Sequence, residues 1–119
     1  MRAAFALFAV VVLAGCGVPQ ELSKQAEEVE SVAAEGSLLA HDAGEGDTTS
    51  VFAREHSKAL RKLLAKVTPA IDDQRLGAIA ADVDSALEEL GSDPGDEARA
   101  RELETKLEKS ADAAGELAG

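Results

Sequence analysis

The side chains best suited to chemistry in this sequence are two histidines and the acidic residues near them. His41 and His56 are the only histidines, and Asp42 directly follows the first of them. Histidine and carboxylate ligands together suit zinc or another divalent cation. Further carboxylates lie close by in the sequence, at Glu45, Asp47 and Glu55. His41, Asp42 and His56 therefore form a candidate metal site, although their spacing matches no defined metal motif.

The same histidines also have a purely structural interpretation. His56 lies between Phe52 and Leu60 on a predicted apolar helix face, as expected of a core histidine bonded to a carbonyl or carboxylate of the linker. His41 falls at the end of a predicted helix, where the helix dipole favours positive charge. The sequence has no Cys-x-x-Cys-His haem motif, no glycine-rich phosphate loop and no Gly-x-Ser-x-Gly nucleophile motif. We therefore do not expect an enzyme.

The N-terminus carries a second chemical pattern, centred on the only cysteine. Arg2 precedes a short apolar run over residues 3–12, and Leu-Ala-Gly then leads directly into Cys16. A positive charge, a short apolar run and small residues before a cleavage point are typical of a secretory signal. The run has about half of the roughly 20 apolar residues that a membrane-spanning helix needs.

Leu-Ala-Gly immediately before Cys16 resembles the lipobox of bacterial lipoproteins. In that family the cysteine sulfur receives a diacylglyceryl group, and cleavage leaves the cysteine as the first residue. The resemblance implies a signal peptide over residues 1–15, a lipidated tether over 16–18 and a mature domain over 19–119. It also implies acyl chains such as palmitate in a bacterial membrane, with the domain on the extracytoplasmic face. Two or more chains suffice for stable anchoring. Whether that membrane is inner or outer stays open.

Composition limits the function of the mature domain. The whole chain has 12 basic and 23 acidic residues, a net charge of −11. That charge disfavours nucleic acid and an anionic bilayer surface as direct partners, because both would repel it. Phe52 is the only aromatic residue after Cys16, so a site that stacks on bases, sugars or flat cofactors is not expected. We expect no cofactor beyond the lipid and the candidate metal.

Apolar residues recur at steps of three and four along the mature domain, which predicts an all-α fold. Four such stripes predict four helices. The first contains Leu22, Ala26, Val29, Ala33, Gly36 and Ala40, and the second contains Phe52, His56, Leu60, Leu63 and Val67. The third contains Leu76, Ile79, Val83, Leu87 and Leu90, and the fourth contains Leu103, Leu107, Ala111, Ala114 and Leu117. Short connections between four amphipathic helices favour an antiparallel four-helix bundle. The heptad-like spacing also permits a long coiled-coil hairpin or an oligomer.

Turn-forming residues mark the predicted helix boundaries. A break over residues 43–47 ends the first helix, and an aspartate or threonine within 47–49 caps the second. Thr68 is the predicted cap of the third helix, with a boundary that could move toward residues 72–73. The fourth helix is predicted to have Asp93 as its cap, followed by proline at its first position.

The predicted second helix differs from the others in charge. Residues 51–67 net +4, whereas residues 19–42 and 69–90 each net −5. A basic helix between acidic neighbours would help to set the order of the helices. Alternatively, its exposed side chains would form a strip that meets lipid headgroups, an acidic wall polymer or a partner. This candidate interaction surface consists of Arg54, Lys58, Arg61 and Lys62.

Together these patterns favour a structural or adaptor function. We expect a small acidic lipoprotein that presents a helical surface to another envelope protein or to a second copy of itself. The alternative is a zinc-like metal-binding module that uses His41, His56 and the nearby carboxylates.

Overall fold

The computed structural model describes residues 20–119, which form four α-helices joined by short connections. The helices are α1 (Gln20–Glu45), α2 (Ser50–Val67), α3 (Gln74–Ser92) and α4 (Glu97–Ala118). A single 3-10 turn, Thr68–Ala70, follows α2, and residues 20–119 contain no β-strand. The all-α prediction is confirmed. The predicted signal peptide over 1–15 and the tether over 16–18, with Cys16, lie outside the described residues.

The helices pack as an antiparallel bundle in the order α1, α2, α3, α4 around a ring. The most extensive contact joins α1 to α4. Ser23 Oγ donates to the carbonyl of Ala118 (2.6 Å) at one end of this pair, and Arg101 donates to the carbonyl of Gly44 (2.9 Å) at the other. Helices that meet start to end in this way run in opposite directions. The predicted four-helix bundle is therefore confirmed.

The core consists of one apolar stripe from each helix. Its largest fully buried side chains are those of Leu64, Leu76, Leu87, Leu90, Leu103, Leu107, Val29 and Val83. Small residues let the helices approach one another closely. A Cβ built on Gly36 in α1 would lie 2.9 Å from Cδ2 of Leu87 in α3. The lack of a side chain at Gly36 therefore leaves room for the Leu87 side chain in the middle of the bundle.

Helix α2 is rotated relative to the prediction. Its buried residues are Ala53, Ser57, Leu60 and Leu64. Phe52 and Leu63, which were expected in the core, are 54% and 50% exposed. Ser57 takes a core position because its hydroxyl donates to the carbonyl of Leu87 in α3 at 3.0 Å. A buried polar residue with a partner is stable there. The predicted apolar face is therefore wrong at Phe52 and Leu63 and right at Leu60.

The helix boundaries follow the predictions in part. Helix α1 ends at Glu45, inside the predicted break over residues 43–47, and Gly46 follows with a positive φ of 73°. Gly44 is still helical and buried, and it lets α1 approach α4. Thr49 and Asp73 cap α2 and α3, both within the predicted ranges. The cap of α4 is Asp96 rather than Asp93. In each of these three caps the side-chain oxygen accepts a hydrogen bond from the backbone N–H three residues later.

An ion pair between α3 and α4 gives a pH-dependent prediction. Arg99 Nε donates to Glu89 Oε2 at 2.8 Å. Arg99 Nη2 also donates to Glu89 Oε2. The hydrogen bonds from Arg99 lower the pKa of Glu89 below its ordinary value of 4.5. A carboxyl group whose pKa is lower in the folded chain than in the unfolded chain stabilises the fold at pH values above its pKa in the unfolded chain. This stabilisation is lost as the pH falls through its pKa in the folded chain. We expect Glu89→Gln to lower the melting temperature at pH 7 and to lower it less at pH 2.

Glu108→Gln is the matched control for this prediction. Glu108 is exposed on α4 and forms no ion pair within residues 20–119. Its replacement is expected to change the melting temperature little at either pH. If Glu89→Gln had the same effect on the melting temperature at pH 7 and at pH 2, the ion pair would not be its cause.

Candidate functional site

The two histidines face different helices. His41 Nδ1 lies 3.2 Å from Glu104 Oε2 on α4, whereas His56 Nε2 lies 3.3 Å from Glu35 Oε2 on α1. Within residues 20–119, no group of three histidine, cysteine, aspartate or glutamate side chains is placed to hold a metal ion. The metal site at His41, Asp42 and His56 stays a prediction, and each described imidazole has one carboxylate beside it.

His56 is not the core histidine that the sequence suggested. Its side chain is 29% exposed, and its carboxylate neighbour comes from the middle of α1 rather than from the linker. The ring meets the edge of Phe52 with centroids 5.3 Å apart and an interplanar angle of 73°. Each histidine therefore connects two helices at the surface, His41 joining α1 to α4 and His56 joining α2 to α1.

One of the four predicted interaction residues belongs to a partly exposed ion pair between α2 and α3. Arg61 Nε donates to Asp84 Oδ1 at 2.9 Å, and Nη2 donates to Oδ2 at 3.2 Å. These hydrogen bonds to Asp84 raise the pKa of Arg61. This bidentate geometry fixes the orientation of the two side chains and so favours one packing of α2 against α3. This pair favours the interpretation in which the basic helix is held between acidic neighbours.

The other three predicted residues are exposed on α2. Lys58 Nζ lies 3.7 Å from Glu55 Oε2 of the same helix, a weak contact between exposed groups. Arg54 and Lys62 form no ion pair within the described part of the chain, nor does Lys66 one turn further on. Lys66 was missing from the predicted surface. The basic charge of α2 is thus largely available to an approaching partner.

Exposed apolar side chains lie on the same helix. Within residues 20–119 the large exposed hydrophobic residues are Leu38, Val51, Phe52 and Leu63, and only the first is outside α2. Phe52, the exposed Ala59 and Leu63 follow one another at seven and four residues, which aligns them on one side of a helix. Lys62 and Lys66 flank this row. We call these five residues the α2 outer surface.

A groove lies on the other flank of α2, where it packs against α3. Its volume is about 700 Å³. The groove exists because α3 presents small residues to α2, namely Gly77, Ala80 and Ala81. A Cβ built on Gly77 would have no atom within 4 Å, so this position is open space. Neither the groove nor the apolar half of the α2 outer surface was predicted from the sequence.

No family model matches the chain, and no curated protein or solved structure matches it either. None of the helices in residues 20–119 is both long and apolar enough to cross a bilayer.

The α2 outer surface is the candidate binding surface of the described residues. The α2 outer surface combines an aromatic ring, a leucine and two lysines. Exposed apolar residues rimmed by polar ones mark interaction sites, and charges at the rim guide the approach of an oppositely charged partner. Sequence reasoning missed the apolar half of this surface because Phe52 and Leu63 were assigned to the core. The small polar Ser57 between them was the available sign of a different helix rotation.

Proposed function

We propose that this protein is a lipid-anchored lipoprotein of the bacterial cell envelope whose helical bundle docks an acidic partner protein. Cys16 carries the lipid in this proposal, as the preceding Leu-Ala-Gly implies, and the α2 outer surface contacts the partner. The observation that supports docking is the presence of basic and exposed apolar side chains on a single helix.

The charge distribution supports an acidic partner. Residues 51–67 net +4 in a chain whose net charge is −11. The bundle as a whole therefore repels an acidic protein, while α2 attracts one locally. Such a pattern restricts the orientation in which a partner approaches, because unlike charges steer encounter and like charges disfavour wrong contacts. Burial of Phe52 and Leu63 in the interface would then supply the apolar contact.

The test is chemical cross-linking in intact cells, followed by affinity recovery and mass spectrometry. We expect one dominant envelope protein with the native chain. Phe52→Ser with Leu63→Ser, and separately Lys62→Glu with Lys66→Glu, should each reduce its recovery about tenfold or more, as expected when central interface residues are lost. Both pairs are exposed, so the fold should persist, and circular dichroism checks this.

The chain offers a matched control for each change. Leu38→Ser removes an exposed leucine from α1, and Lys106→Glu with Lys109→Glu reverses two exposed lysines on α4. Both controls should retain the partner. Equal recovery with the α2 variants, or equal loss with the controls, would show that α2 is not the docking surface. Cross-links found only between copies of this chain would replace the adaptor role with self-association.

A further inference from the structure

The groove between α2 and α3 has the size and lining of a ligand site. Its volume of about 700 Å³ lies within the range of pockets that hold small molecules. The lining is mainly apolar and includes Leu64, Ala65, Pro69, Gly77 and Ala80. From Lys58 to Pro69 it extends about 16 Å along α2, at the helical rise of 1.5 Å per residue. The groove is therefore elongated and suits an extended apolar chain.

The charged groups of the groove are concentrated toward one end. Lys58, Arg61, Lys62 and Asp84 line the end nearer the middle of α2, whereas Pro69 and Gly77 line the other. Both oxygens of Asp84 accept hydrogen bonds from Arg61, so that pair is internally neutralised. Lys62 forms no ion pair within residues 20–119, and Lys58, one turn away, has only its weak 3.7 Å contact with the exposed Glu55. The two lysines therefore leave positive charge beside the apolar lining. An apolar channel with cations at one end is complementary to an anionic amphiphile.

We propose that the α2–α3 groove binds a long-chain carboxylate of the fatty-acid type. Its hydrocarbon chain lies against Leu64 and Ala80 and extends toward Gly77, and its carboxylate contacts Lys58 and Lys62. This function goes beyond partner docking, because the groove and the α2 outer surface lie on different flanks of the helix. Lys62 is the one residue that both share.

Gly77 provides a variant that tests the groove without disturbing the fold. A side chain added there meets open space, and replacement of a helical glycine raises helix propensity. Gly77→Leu should therefore fill the groove while the bundle stays folded. Ala78→Leu is the matched control, because Ala78 is the adjacent exposed residue of α3 and does not line the groove.

The experiment is calorimetric titration of the full chain carrying Cys16→Ala, so that no covalent lipid competes. Octanoate, decanoate and dodecanoate are used below their micellar concentrations. We expect saturable binding that tightens about two- to fourfold for each added CH₂, as burial of methylene groups requires. Gly77→Leu should weaken dodecanoate binding about tenfold or more, whereas Ala78→Leu should bind dodecanoate like the parent chain.

The charge requirement has its own variants. Lys58→Gln with Lys62→Gln should weaken dodecanoate binding, and Lys106→Gln with Lys109→Gln on α4 should not. Dodecyl maltoside, with the same chain and no charge, should bind more weakly than dodecanoate. These measurements do not involve Gly77, so they test the proposal even if Gly77→Leu fails to fold.

Several results would overturn the proposal. They are affinity independent of chain length, equal binding by Gly77→Leu and Ala78→Leu, and equal binding of dodecyl maltoside. Binding to anionic vesicles without binding of monomeric dodecanoate would make the groove a bilayer contact instead. A dimer dissolved by Gly77→Leu would identify the occupant as a second copy of the chain. Gly77→Leu leaves the α2 outer surface intact and should retain the cross-linked partner, so groove binding and partner docking can fail separately.

Discussion

Leu87→Ala is expected to lower the free energy of unfolding by about 2–5 kcal/mol, the usual cost of truncating a buried leucine. Leu87 is 0% exposed, and its side chain reaches the middle of the bundle beside α1. Its removal leaves a cavity that the rigid helices fill only in part. Small domains are stable by about 5–15 kcal/mol in total, so this single change removes a large fraction. Urea denaturation followed by circular dichroism measures it.

Gly36 makes this prediction sharper through a double-mutant cycle. In the native chain, a Cβ at this position would lie 2.9 Å from Leu87 Cδ2, and the resulting strain opposes the gain in helix propensity from Gly36→Ala. In the Leu87→Ala chain that atom is gone, so Gly36→Ala should stabilise by about 1 kcal/mol. Residues in contact couple by roughly 0.5–3 kcal/mol. Additive effects of the two changes would contradict this packing.

Leu38→Ala is the control that separates the effect of burial from the effect of replacing any leucine by alanine. Leu38 is 64% exposed on α1, and surface substitutions usually change stability by less than about 0.5 kcal/mol. A loss as large as that of Leu87→Ala would mean that the apolar core is not where the bundle places it.

Cys16→Ala, made in a chain whose residues 1–15 are replaced by a secretory signal that is cleaved without lipidation, is expected to move nearly all of the protein from the membrane fraction to the soluble fraction. The sequence contains no other cysteine, so the variant has no thiol to receive a lipid. Each buried CH₂ of an acyl chain contributes about 0.8 kcal/mol, and stable anchoring needs two chains. Cell fractionation with immunodetection measures the shift.

Intact-mass measurement separates lipidation from other causes of membrane association. The native chain should lack residues 1–15 and carry the added mass of its acyl chains, and Cys16→Ala should carry no such mass. Gly17→Ala, a neighbouring change outside the Leu-Ala-Gly-Cys sequence, should keep both the lipid mass and the membrane location. A Cys16→Ala protein that stays in the membrane fraction would refute the anchor.

The sequence was sufficient for the helical class because α1, α3 and α4 bury regularly spaced leucine, valine and alanine residues. It failed for α2, where Ser57 replaces an apolar residue in the core. The burial of this serine depends on the Leu87 carbonyl of another helix. Local periodicity contains no information about such a partner, so Phe52 and Leu63 were placed on the wrong side.

The candidate sites were harder to predict for the same reason. Glu104 and Glu35 lie next to the histidines only because of the rotations of α1, α2 and α4 in the bundle. Their distances from the histidines along the chain give no indication of contact. The basic character of α2 was evident from residue counts alone. Which of its basic side chains pairs with Asp84, and which are exposed to solvent, depends on how the helices pack and could not be predicted.

The contact between Gln25 and the carbonyl of Ala70 at 3.0 Å brings the start of α1 to the same end of the bundle as the α2–α3 turn. If Cys16 carries the lipid, only three residues lie between it and Gln20, so the four residue-to-residue steps span at most about 14 Å. Helix α1, with 26 residues, is about 39 Å long. The end of the bundle that holds the α2–α3 turn would then lie within about 14 Å of the lipid. The Gly77 end of the groove lies at this same end of the bundle, whereas the α1–α2 and α3–α4 turns lie at the opposite end.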